Sequence, residues 1–92
     1  MIFSMQCFTE FGNFSNPYSQ EDDIFIGTLA QCKAEFTAWR DMHLDYYDLN
    51  DLVSYHDSPG ICANVYRGKE IGDYPDFQLI LGKRGEIMEK IL

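Results

Sequence analysis

The stretch Thr28-Leu29-Ala30-Gln31-Cys32-Lys33-Ala34-Glu35-Phe36-Thr37-Ala38-Trp39, continuing from Arg40 to Val53, decides the fold class. Thr28 follows Gly27 and stands where a helix N-cap belongs, and Gln31 occupies the third helical position, where its amide can close a capping box. From there Leu29, Cys32, Phe36, Trp39, His43, Tyr46 and Val53 recur in steps of three and four, with Asn50 filling the one gap. At 100° per residue they form one stripe, and Trp39, Phe36 and Tyr46 are expected in the core. Asp41, Asp45, Asp48 and Asp51 then fall on the opposite side within an arc of about 120°. Asp, Asn and Tyr are mediocre helix formers, so Leu44 to Asn50 reads either as helix or as a connection between two shorter ones. Ser58-Pro59-Gly60 is expected to end the helical region.

Outward from this helix the pattern changes to a period of two. In residues 2–9, Phe3, Met5 and Cys7 alternate with Ser4 and Gln6, the signature of a half-buried strand. The turn formers of Phe11-Gly12-Asn13-Phe14-Ser15-Asn16-Pro17 and a loop carrying Glu21, Asp22 and Asp23 lead to Ile24-Phe25-Ile26, a second strand or an extended entry to the helix. On the other side lie Ile61 to Tyr66 and Phe77 to Leu81, and then a hairpin in which Gly85 takes the left-handed position and Glu86 to Leu92 returns. Tyr74-Pro75-Asp76 fits only the mouth of a strand pair, because proline has no N–H for a ladder. The expectation is an α+β domain: a strand or hairpin over 2–26, a helical region over 28–56 and antiparallel strands over 61–92. Its sheet would have three to four antiparallel strands packed on one long or two short helices.

The 92 residues allow a single domain, and 46% hydrophobic content with 15% aromatics supplies its core. The formal charge of -8 repels phosphate backbones and anionic lipid, so neither a nucleic acid nor a membrane surface is expected as a direct partner. Three cysteines, Cys7, Cys32 and Cys62, are odd in number and lack CxxC spacing, which fits buried thiols in a reducing compartment. The N-terminal residues lack a basic region and a continuous apolar run, so they do not read as a signal peptide. A cytoplasmic protein is expected.

No constellation for catalysis or metal binding emerges. His43 and His56 have no Cys or His partner two to five residues away, so no zinc pattern forms. Cys32 and His43 stand eleven positions apart, about 16 Å along a helix, too far for a nucleophile and its base. Gly68, Gly72, Gly82 and Gly85 match neither the P-loop nor the dinucleotide pattern and read as turn residues. Neither an enzyme, a cofactor nor a bound metal is expected. Arg67, Lys69, Lys83 and Arg84 lie in two turns that could meet at one end of the sheet.

The charge distribution is more informative than its total. Residues 41–57 hold five aspartates and no Lys or Arg, whereas residues 58–92 hold five of each sign. Like charges three or four apart destabilise a helix by roughly 0.2 to 0.5 kcal/mol per pair, and Asp41/Asp45, Asp45/Asp48 and Asp48/Asp51 are three such pairs. An ordinary solvated face mixes signs. Carboxylates spaced along a rigid element can imitate a row of phosphates and occupy a groove made for DNA or RNA.

In size, acidity, absence of a catalytic signature and cysteine usage, the chain resembles the small inhibitor proteins of phages and other mobile elements, including anti-restriction and anti-CRISPR proteins that mimic nucleic acids. The likeness is one of general character and rests on no single motif. With the charge pattern it implies a non-enzymatic inhibitor that occludes a basic nucleic-acid-binding surface of a host protein. The expected contact residues are Asp41, Asp45, Asp48 and Asp51, joined by Tyr47 and Tyr55 and by Glu21, Asp22 and Asp23 of the loop. The alternative is a homodimer or complex subunit, a small assembly module whose acidity serves solubility only.

Overall fold

The computed structural model describes residues 1–9, 24–53 and 60–91. Among these residues five strands and two helices follow one another as β1 (Phe3–Thr9), β2 (Phe25–Gly27), α1 (Leu29–Leu44), α2 (Leu49–Leu52), β3 (Ile61–Arg67), β4 (Phe77–Leu81) and β5 (Ile87–Ile91). The strands form one antiparallel sheet in the order β2-β1-β3-β4-β5. This is the α+β class anticipated, with one strand more than the three to four expected. The short Phe25–Gly27 segment is a true edge strand, pairing Phe3 with Gly27 and Met5 with Phe25. The radius of gyration, 12.3 Å, is that of one folded domain of this length, for which about 12 Å is expected.

Alternation in β1 and register across the sheet build the core. Cys7 stands opposite Ala63 and Ala63 opposite Leu79, while Met5 stands opposite Val65 and Val65 opposite Phe77. These residues, with Phe3, Ile61 and Leu81, meet Cys32, Phe36 and Trp39 of α1. Phe3 and Phe77 pack edge to face across β3, with centroids 6.0 Å apart. The opposite face of the central strands is also buried, at Ser4, Cys62 and Tyr66. That is why β3 reads as an unbroken run of buried residues, Ile61-Cys62-Ala63, and not as a clean alternation.

Local signals read from the sequence set the element ends. The Thr28 hydroxyl accepts from the Gln31 N–H at 3.2 Å, and the Thr28 N–H donates to Gln31 Oε1 at 2.8 Å, closing the capping box. Gly85 has φ +83° in the turn between β4 and β5, where its N–H donates to the Gly82 carbonyl at 2.9 Å. Asp76, just after Pro75, closes the mouth of the β3–β4 pair. Its N–H donates to Val65 O at 2.9 Å, and its carboxylate accepts from the Arg67 N–H at 2.7 Å.

One expectation needs correction in the helical region. Among the described residues α2 ends at Leu52 and Val53 is extended, while Ser58 and Pro59 of the expected stop signal lie outside them. Within that region α1 stops at Leu44, so the stripe holds only as far as His43. Tyr46, expected in the core, is 83% exposed, whereas Tyr47, expected on the acidic face, packs against the core. Once the chain leaves the helix the 100° phase is lost, and the side chains that follow are aimed by the turn. Asp and Asn rank low in helix interiors and serve well at their ends, which explains where the break falls. The turn 11–17, the loop acids Glu21, Asp22 and Asp23, and Tyr55, His56 and Asp57 lie outside the described residues.

All three cysteines are buried and none forms a disulfide. Burial pushes the Cys32 thiol above its ordinary value of 9.0, and its Sγ lies 4.0 Å from the Gly27 carbonyl. Thiol-modifying reagents are therefore expected to leave the native protein unlabelled and to label three sites in denaturant, as counted by mass spectrometry. Below pH 9 Cys32 is protonated in both states. Above it the unfolded chain ionises first, so stability should decline as pH rises past 9, and less so in Cys32→Ala, relative to that variant's own neutral-pH stability.

Candidate functional site

The four aspartates of the sequence pattern lie at the junction of α1 and α2, and all are exposed. They do not form one straight ridge, because the helix breaks between the second and the third. Asp41 is in the last turn of α1 and accepts from Arg40, whose Nε is 3.0 Å and Nη2 2.9 Å from Oδ1. Asp45 is the C-cap residue, with helical backbone angles. Both the Tyr46 and Tyr47 N–H groups then turn back onto the His43 carbonyl, at 3.0 and 2.9 Å. Asp48 is extended at the start of α2, and its N–H donates to Asp51 Oδ2 at 3.3 Å. The break thus turns a repulsive i,i+3 pair of aspartates into a capping contact.

These four positions differ in what the fold gains from them. Asp41 has a cation and Asp51 a backbone donor. Asp45 is placed against the negative end of the α1 dipole, where an anion costs about 0.3 to 1 kcal/mol at low salt. Among the described residues, Asp45, Asp48 and Asp51 make no ion pair. The nearest cation in sequence, Arg40, is engaged elsewhere. Its Nη1 donates to the Gly85 carbonyl at 2.7 Å, tying α1 to the β4–β5 turn. This double role was not legible in the sequence, since Arg40 and Gly85 are 45 positions apart.

Arg40→Ala separates the two effects. It should lower stability by about 1.5 kcal/mol, the low end for a charge-assisted bond, because the side chain retains 22% exposure. It should also release Asp41 and take the net charge from -8 to -9, so any cationic ligand should bind more tightly, as a titration alongside urea unfolding would measure.

An aromatic ladder runs from the core to this surface. Trp39 is buried, His43 meets it edge to face at 4.5 Å, and Tyr47 stacks on His43 at 6.4 Å and 22°. His43 Nδ1 lies 2.9 Å from the Trp39 carbonyl, which can only accept, so this nitrogen carries the proton and the ring is held by its own helix. Beside the ladder Met42 and Tyr46 project into solvent, 50% and 83% exposed. Met42, His43, Tyr46 and Tyr47 line an open concavity of about 310 Å³. This feature was not singled out from the sequence, and the signal for it was Tyr46-Tyr47 beside residues that favour a helix end.

The remaining candidates do not converge. Arg67 ends β3 and Lys69 follows it, whereas Lys83 and Arg84 lie between β4 and β5. The two turns are at opposite ends of β4, so these cations do not meet as anticipated, and all four are exposed. Among the described residues no three His, Cys, Asp or Glu side chains stand close enough to hold a metal ion. Nor is any helix among them long and apolar enough to cross a membrane. Comparison with protein families, with curated proteins and with solved structures yields no match to this chain.

Proposed function

We propose that this protein is a small non-enzymatic inhibitor, acting in the cytoplasm, that occludes a basic nucleic-acid-binding surface of a partner protein in the manner of the DNA-mimicking inhibitors of phages and mobile elements. One observation carries the reading. Four exposed aspartates are concentrated between residues 41 and 51, and the neighbouring Arg40 is divided between Asp41 and the Gly85 carbonyl, which leaves Asp45, Asp48 and Asp51 without an ion pair among the described residues. The charge continues from the last turn of α1 into α2. Asp45 stands at the negative end of α1, where an anion is disfavoured, and an external cation would offset that cost.

The test is capture from a host lysate on the immobilised protein, developed with a salt gradient. The expected result is release, at intermediate salt, of a nucleic-acid-binding protein whose DNA or RNA complex this chain then dissolves in a competition assay. Salt-insensitive binding overturns the reading. Self-association through β5, the last strand in the sheet order, with no cationic partner recovered, would instead mark an assembly module.

A further inference from the structure

We infer that the concavity of Met42, His43, Tyr46 and Tyr47 is the seat for one arginine side chain of the basic partner, an inference that rests on the function proposed above. The walls suit a planar cation. Tyr46 offers a ring held out to solvent, and Met42 a polarisable flank. The floor is stiff, because Tyr47 stacks on a His43 that is hydrogen-bonded to Trp39 O and packed against the buried Trp39 ring. At about 310 Å³ and open to solvent, the concavity has room for a long side chain.

Charge selects the occupant. Asp41 and Asp45 interleave in sequence with Met42, His43 and Tyr46, Asp48 follows Tyr47 directly, and all three are exposed. No Lys or Arg occurs from 41 to 53 to fill the seat from within, and Arg40 is turned to Gly85 O and Asp41. A cation over an aromatic face is attracted by the ring quadrupole, and neighbouring carboxylates add to that pull. A guanidinium fits better than an ammonium, since its flat face stacks on tyrosine while its edge N–H groups reach carboxylates. An apolar side chain would use the rings and waste the acids, and an anion would be repelled.

The test titrates the full chain with a capped hexa-arginine peptide and with its hexa-citrulline counterpart, which keeps the shape and lacks the charge. The ring resonances of His43, Tyr46 and Tyr47 report the site. Arginine should shift those resonances and citrulline should not. Tyr46→Ala should weaken arginine binding roughly three- to tenfold, as expected for loss of a cation–π contact, and Tyr46→Phe should restore it. Because Tyr46 is exposed, the Ala variant should keep the wild-type thermal transition. Equal binding of citrulline, or wild-type affinity in Tyr46→Ala, overturns the arginine seat. If hexa-arginine is nevertheless lost on reversing Asp45 and Asp48, the acidic-surface function survives without the pocket. If binding is lost in Tyr46→Ala and indifferent to those reversals, the pocket stands and the acidic-surface reading falls.

Discussion

Exchanging Asp45 and Asp48 for lysine is expected to weaken capture of a cationic partner strongly while leaving the fold intact. Each exchange moves the charge by two units, so the net value goes from -8 to -4, and the change falls on two exposed positions flanking Tyr46 and Tyr47. Exposed ion pairs contribute about 0.2 to 1 kcal/mol each, and reversal replaces attraction with repulsion, so the combined loss should be on the order of tenfold to a hundredfold in Kd. The fold should tolerate it. A lysine at Asp45 would suit the negative end of α1, whereas one at Asp48 would oppose the start of α2, each by about 0.3 to 1 kcal/mol. These terms nearly cancel and leave the loss of Asp48 as the N-cap of α2, about 1 kcal/mol, so the melting temperature should fall by only a few degrees. Titrations over a salt series supply the second readout. The slope of log Kd against log salt should flatten in the variant, because fewer contacts remain to be screened. Unchanged affinity and slope would show that these aspartates are only solvated surface.

A much larger effect on stability is expected from a single methyl group at Gly60. This residue is buried where the chain passes α2 to enter β3. A Cβ there would lie 2.5 Å from the Leu52 carbonyl carbon and 2.6 Å from its Cα, and closer still to the Asp51 carbonyl oxygen. All three atoms are backbone, so no rotamer change relieves the collision. α2 or the start of β3 must move. Overpacking of this kind costs about 1 to 3 kcal/mol, and rigid backbone on both sides favours the upper end. Against a total of roughly 5 to 14 kcal/mol for a chain of this length, Gly60→Ala should visibly lower the urea midpoint. Gly72→Ala is the control, since its nearest atom would be Tyr66 Cδ2 at 3.9 Å, and it should be neutral or slightly stabilising. Because Leu52 anchors α2 in the core and Asp48 and Asp51 flank it, binding of a cationic partner should weaken with Gly60→Ala. A midpoint equal to the wild type would mean that α2 is not clamped against β3.

Both effects depend on a break in the helix that sequence periodicity left open. Thr28 and Gln31 mark the start of α1, and Gly85 marks the β4–β5 turn. Each of these signals works through partners within three residues, close enough that composition alone specifies the geometry. The alternation of Phe3, Met5 and Cys7 likewise specifies which β1 side chains face α1. Tyr46 and Tyr47 are different. A periodic reading extends a helix until something stops it, and Asp45 and Asp48 stop it only because end positions suit them and a second short helix can dock through Leu49 and Leu52.

For the candidate surface the same division holds. The sequence by itself determined that a run of aspartates without cations lies beyond Arg40, since charge needs no fold to be counted. It also determined an α+β domain with α1 against an antiparallel sheet, because a period of 3.6 followed by a period of 2 admits few other layers. Only the tertiary structure decided that Arg40 is drawn to Gly85, that Tyr46 stands out while Tyr47 stacks inward, and that the turn cations are held at opposite ends of β4. These outcomes depend on contacts between segments distant in the chain, or on the phase at which a helix ends, and neither is carried by local propensity.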